Sequence, residues 1–201
     1  MMTIRNKVYR MNILAIFIAI IIVQTSIPGL GNIPVGPLSV TIIPITIALA
    51  AVLLGTKSGA LVGGIWGLIT FLRAFWWPTS PIAIYVFTNP LVSILPRILV
   101  GLVAGLIFNH FYDPEKRSRL LLAATGFFSA LVNTIVLLTL IYLFYRGHAF
   151  ELYHIDVKEL LPYLIFVAAT NGLIEAALSA SLVPIIGSSL LKLKKKASTI
   201  K

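Results

Sequence analysis

The stretch PLVSILPRILVGLVAGLIFNHF, residues 90–111, is apolar almost throughout and carries a single Arg, Arg97. At about 1.5 Å per residue a helix of this length covers roughly 30 Å, the thickness of a bilayer's hydrocarbon core. Five more apolar stretches lie outward from it, at residues 11–27, 38–54, 58–76, 119–145 and 160–191. Hydrophobic residues make up 59% of the 201 positions and charged residues 11%, with a mean hydropathy of +1.01. A soluble domain carries roughly 25% charged residues, so the expected fold is an all-α membrane protein. One domain of six transmembrane helices should occupy residues 1–201. The second stretch is short and reads as tilted or partly re-entrant. The last two exceed a minimal span, so their ends should protrude or tilt.

Charge sets the expected orientation. Arg5, Lys7 and Arg10 precede the first span, and Lys57 separates the second from the third. Lys116, Arg117 and Arg119 lie between the fourth and fifth. Lys192, Lys194, Lys195, Lys196 and Lys201 follow the sixth. The opposite side holds Arg73, Arg146 and Lys158. Basic residues accumulate on the cytoplasmic side, which predicts six crossings with both termini cytoplasmic. The same rule accounts for most of the net charge of +10, so nucleic acid is not needed as a partner. The basic tail should instead rest on anionic lipid. The basic, then apolar start resembles a signal peptide, but Pro28-Gly29 follows it without a small-x-small cleavage site, so the first span is expected to be retained. The chain has no Cys, which excludes disulfide and thiol chemistry.

Energy conversion and catalysis are not encoded here. A phosphate-gripping Gly-x-x-x-x-Gly-Lys-Ser/Thr loop is missing; the Gly-rich run Gly59 to Gly67 lies in an apolar helix and suits close helix packing. No intramembrane Ser pairs with a His at nucleophile spacing. His148 and His154 with Glu151 and Asp156 match no strong metal-ligand spacing and read as a solvated loop. No cofactor, metal or catalytic residue is expected.

The polar residues left inside the spans carry the functional signal, because each is costly in a bilayer and tends to face the bundle interior. Arg97 lies about two turns below the outer surface. Ser93 is four residues before it on the same face, and Asn89 stands at the helix start, where capping is its alternative role. A guanidinium fork suits a carboxylate; pairing with Glu175 is the alternative. Asn171 and Glu175 share a face of the sixth span, and Asn133 lies midway along the fifth, where an interhelical hydrogen bond would also account for it. Trp66 lies deeper on the third span and is placed to line a pocket, whereas Trp76 and Trp77 read as interface aromatics. Ala15 and Ala19 form a small-x-x-x-small ridge that admits a close helix partner.

These features resemble the substrate-binding S components of energy-coupling factor vitamin transporters. Ala15-x-x-x-Ala19 is similar to that family's first-helix motif. The stretches Ile33-Pro34-Val35-Gly36-Pro37-Leu38-Ser39-Val40-Thr41 and Asn89-Pro90-Leu91-Val92-Ser93-Ile94-Leu95-Pro96-Arg97 look most like its pantothenate branch. The resemblance implies a vitamin-binding subunit of the cell membrane. It would dock through Ala15 and Ala19 on a transmembrane coupling subunit, work with two cytoplasmic ATPases, and topple to release its ligand. It also implies that Arg97 holds the carboxylate of pantothenate, that Asn133, Asn171 and Glu175 meet its amide and hydroxyls, and that Trp66 and Phe71 pack on its dimethyl group. Hydroxymethylpyrimidine or riboflavin is the alternative ligand. A lone secondary transporter or an intramembrane enzyme is the alternative class.

Overall fold

The computed structural model describes residues 4–27, 29–35, 38–78, 81–113, 118–148, 150 and 156–199. Helix α1 (Ile4–Ser26) leads into a two-stranded antiparallel hairpin, β1 (Asn32–Val35) and β2 (Leu38–Thr41), in which Asn32 faces Thr41. Then come α2 (Ile43–Leu54), α3 (Thr56–Trp76), the short α4 (Pro81–Val86), α5 (Pro90–Phe111) and α6 (Arg119–Tyr145). After a 3-10 turn at Arg146–His148, helix α7 (Val157–Val167) runs through a π-helical turn at Ala168–Gly172 into α8 (Leu173–Thr199).

Among the described residues five helical stretches are long and apolar enough to cross a membrane: Lys7–Ser26, Thr56–Trp76, Pro90–Phe111, Arg119–His148 and Lys158–Lys195. The expected span at 38–54 is corrected. Its first four residues are strand β2, and only the 12 residues of α2 are helical, about 18 Å at 1.5 Å per residue. An apolar run rich in Val, Ile and Thr satisfies a strand as readily as a helix. All 12 residues of α2 are buried, so it is the central post on which the longer helices pack. Around it gather Phe17 and Ile21 from α1, Val62 and Trp66 from α3, Val100 and Ala104 from α5, and Val183 from α8.

Two basic residues close the end of α2. Arg10 Nη2 donates to the Leu54 carbonyl at 2.6 Å, and Lys194 Nζ to the Leu53 carbonyl at 2.7 Å. The last carbonyls of a helix lack intrahelical partners and attract cations. These bonds bring the early part of α1 and the late part of α8 together at the α2–α3 joint. Gly55 makes that joint with φ +94, a left-handed conformation that a side chain would strain.

The α3–α5 pair sets the depth of the later site. A Cβ on Gly63 would overlap the backbone carbonyl of Arg97, and one on Gly67 would stand 2.6 Å from Ile94 Cα. Bare glycine backbone on α3 therefore lies directly against the backbone of α5. This is the close packing expected of the Gly59 to Gly67 run.

Candidate functional site: a cationic cavity between two helical walls

A cavity of about 200 Å³ lies between the hairpin, α3 with α5 on one side, and α6 with the π-helical turn and α8 on the other. Its charged lining is Arg73, Arg97 and Glu175, two guanidinium cations against one carboxyl group.

Arg97 is 4% exposed, and local chemistry explains its pose. Pro96 has no N–H to return to the Val92 carbonyl one turn earlier. Arg97 Nη1 takes that acceptor at 2.7 Å. The guanidinium carbon then lies 5.0 Å from the centre of the Trp66 ring and 5.2 Å from that of Phe87, cation–π contacts that offset part of its desolvation. Ser93 Oγ donates to the Phe87 carbonyl and so fixes the segment carrying that ring. Arg97 Nε is buried without a hydrogen-bond partner. Among the described residues no hydrogen bond or ion pair joins Arg97 to Glu175. The Glu175 carboxylate instead accepts the Thr41 N–H at 2.8 Å, tying α8 to strand β2.

The opposite wall is built of amides and hydroxyls. Asn133 on α6 is 4% exposed, and its Oδ1 has no partner. Buried amide oxygens normally accept a hydrogen bond, so this one is available to a donor in the cavity. Thr134, Asn171 and Glu175 are further polar groups on this face, beside the apolar Leu137, Leu138 and Val167. Asn171 belongs to the π-helical turn, a widened geometry frequent at functional sites.

Of the residues expected from sequence, Arg97, Asn133, Asn171, Glu175 and Trp66 all line this cavity. Phe71, Ser93 and Asn89 do not. Phe71 packs edge-on against Phe75 at 5.2 Å. Ser93 supports Phe87, and Asn89 caps α5 by accepting the Leu91 N–H at 3.0 Å. Ala15 and Ala19 are exposed on α1. Of the loop drawn as a metal set, Glu151 and His154 lie outside the described residues, and Asp156 caps α7 through the Lys158 N–H at 3.0 Å.

Sequence reasoning overlooked Thr41, Phe87 and Arg73 as cavity residues. Thr41 ends the conspicuous 33–41 stretch, and Arg73 is one of the three cations that the charge pattern assigns to the outer side. Both signals were present but pointed to motif and topology rather than to a wall.

The chain matches the family described as ECF transporter, substrate-specific component, over residues 9–187. It is 36% identical over 198 residues to the Pantothenate transporter PanT of Leuconostoc mesenteroides subsp. mesenteroides, covering 96% of this chain and 97% of that protein. It is 28% identical over 207 residues to the Pantothenic acid transporter PanT of Lactococcus lactis subsp. cremoris, covering 96% and 99%.

Proposed function

The chain belongs to the substrate-specific component family of energy-coupling factor transporters, and from that premise we propose that it captures pantothenate in the cavity around Arg97 for an ATP-driven importer. It is a multi-pass protein of the cell membrane. One observation carries the ligand reading: a buried guanidinium, unpaired with any carboxylate among the described residues, faces a cavity lined by two guanidinium cations against one carboxyl group. A buried charge without a counterion is costly, and an anionic ligand supplies one. Pantothenate has a carboxylate for Arg97, an amide and two hydroxyls for Asn133, Asn171 and Glu175, and a branched apolar centre for Trp66. The names of the two relatives favour the same ligand. A flat neutral ring would leave Arg97 without its anion.

The chain acts as a binding subunit without catalysis of its own, and the coupling subunit and two ATPases supply the work. Exposure of Ala15 and Ala19 supports their use as the ridge on which the coupling subunit docks. Six passes with both termini cytoplasmic is the topology that fits best. The contacts of Arg10 and Lys194 with the end of α2 favour it, because they gather residues from the basic-rich flanks at one end of the bundle. The α2 helix then acts as a short buried return.

Calorimetry of the purified chain in detergent with pantothenate, hydroxymethylpyrimidine and riboflavin tests the ligand. Saturable binding of pantothenate alone is expected. Binding of a neutral ring compound with none of pantothenate would overturn the assignment.

A further inference from the structure

Two arginines line one cavity, and they differ in depth. Trp66, Thr70 and Arg73 lie at helical spacing on one face of α3, and all three line the cavity. Arg73 is seven residues beyond Trp66, or about 10 Å along the helix axis, whereas Arg97 stacks on the Trp66 ring itself. Arg97 is buried and Arg73 only half-buried. Arg73 sits beside Trp76 and Trp77, which are 82% and 76% exposed. It therefore marks the accessible rim, with Arg97 at the inner end.

The fixation of Arg73 leaves its charge uncompensated. Its Nη1 donates to the Thr25 carbonyl in the last turn of α1, and its Nε to the Trp77 carbonyl at 3.1 Å. Both acceptors are neutral backbone groups. Among the described residues no carboxylate pairs with Arg73. A guanidinium has five N–H donors, and these two bonds use two of them. The result is a pre-positioned cation at the entrance to a site whose deeper cation would hold the ligand.

We propose that Arg73 is the capture residue of the cavity: it draws the ligand's carboxylate to the rim and sets the association rate, while Arg97 sets the lifetime of the complex. The proposal rests on the reading of the cavity as an anion site. Its physical basis is the division of labour between rim and buried charges. A rim charge acts on association and its salt dependence, and a desolvated charge acts on dissociation.

Stopped-flow fluorescence of the full chain in an uncharged detergent tests this, with tryptophan emission as signal and pantothenate as probe. Ionic strength is varied from about 0.01 M to about 1 M, over which the Debye length shrinks from about 30 Å to about 3 Å. The wild type should associate more slowly as salt rises. Arg73→Gln should associate about 3- to 10-fold more slowly at low salt, with a flattened salt dependence and an unchanged dissociation rate. Arg73→Lys keeps the charge but loses the fork, and should retain the salt dependence. Arg97→Gln should accelerate dissociation instead. An Arg73→Gln protein with the wild-type association rate and salt slope would overturn the proposal. So would equal loss of thermal stability in the Gln and Lys variants with the slope intact, because that marks a clamp between α1 and α3. Failure of the wild type to bind pantothenate would overturn the ligand reading itself, and the capture role with it.

Discussion

The two walls of the cavity are built on different principles. On the α3–α5 side, glycines bring backbone against backbone, and the side chains facing the cavity include two arginines and an aromatic ring. On the α6–α8 side, the helix widens into a π turn, and the facing polar groups are amides, a hydroxyl and a carboxyl group, beside Leu137, Leu138 and Val167. The first wall fixes a charge at one depth, because backbone atoms cannot yield to a neighbour. The second offers several hydrogen-bonding groups, among them the buried Asn133 Oδ1 with no partner among the described residues. A charge needs one accurate position, and a set of neutral polar contacts tolerates more adjustment.

The sharpest way to break this contrast is to put a side chain into the rigid wall. Gly63→Val places its Cβ against the Arg97 carbonyl, where no side-chain rotation can relieve the overlap. The expected cost is about 3 kcal/mol or more of stability, with binding lost because Arg97 is displaced. Thermal unfolding in detergent and calorimetry check both. A variant that melts and binds like the wild type would show that the glycine seam does not set the depth of the cation.

On the second wall, changes should be milder. Asn133→Ala removes an unpartnered acceptor that the ligand is expected to use, so affinity should fall about 3- to 10-fold, in line with roughly 1 kcal/mol for a neutral hydrogen bond. Titration calorimetry with unchanged melting temperature would support this. A loss as large as that from removing the cation would place the main anchor on the wrong wall. Glu175→Gln should matter least. An amide oxygen still accepts the Thr41 N–H, so affinity should stay within about 3-fold of wild type. Glu175→Ala should weaken binding more, by freeing the hairpin from α8. Equal loss in both would mean that the negative charge itself is required.

How much of this was visible beforehand follows the same division. Arg97, Asn133, Asn171 and Glu175 stood out because intramembrane polar residues are few, and each does line the cavity. The pose of Arg97 went unread, although Pro96, which frees the Val92 carbonyl it uses, stands next to it in the sequence. Phe71 was misplaced by one position: a residue next to Thr70 is turned about 100° round the helix, toward Phe75 and away from the cavity. Ser93 shares its helix face with Arg97, yet its hydroxyl is occupied by the Phe87 carbonyl, a partner six residues back that no periodicity reveals. The hairpin was hidden because Leu38-Ser39-Val40-Thr41 carries no charge and runs into the apolar α2 without a glycine or a charged residue between them. Thr41 consequently entered the site unannounced, through its backbone N–H on Glu175. Arg73 was accounted for by topology alone, because a terminal cation on a membrane helix fits the interface as well as it fits a cavity rim.

The central claim is that a carboxylate is held by Arg97. The most direct test is a ligand-and-protein cycle by calorimetry: wild type and Arg97→Gln, each with pantothenate and with its neutral alcohol analogue, in which a hydroxymethyl group replaces the carboxylate. Loss of a buried charge pair costs about 2–5 kcal/mol, so wild type should prefer pantothenate by at least about 30-fold. The preference should vanish in Arg97→Gln, with the alcohol bound about equally by both proteins. If Arg97→Gln keeps the wild-type preference for pantothenate, the carboxylate lies elsewhere and the account of this cavity is wrong.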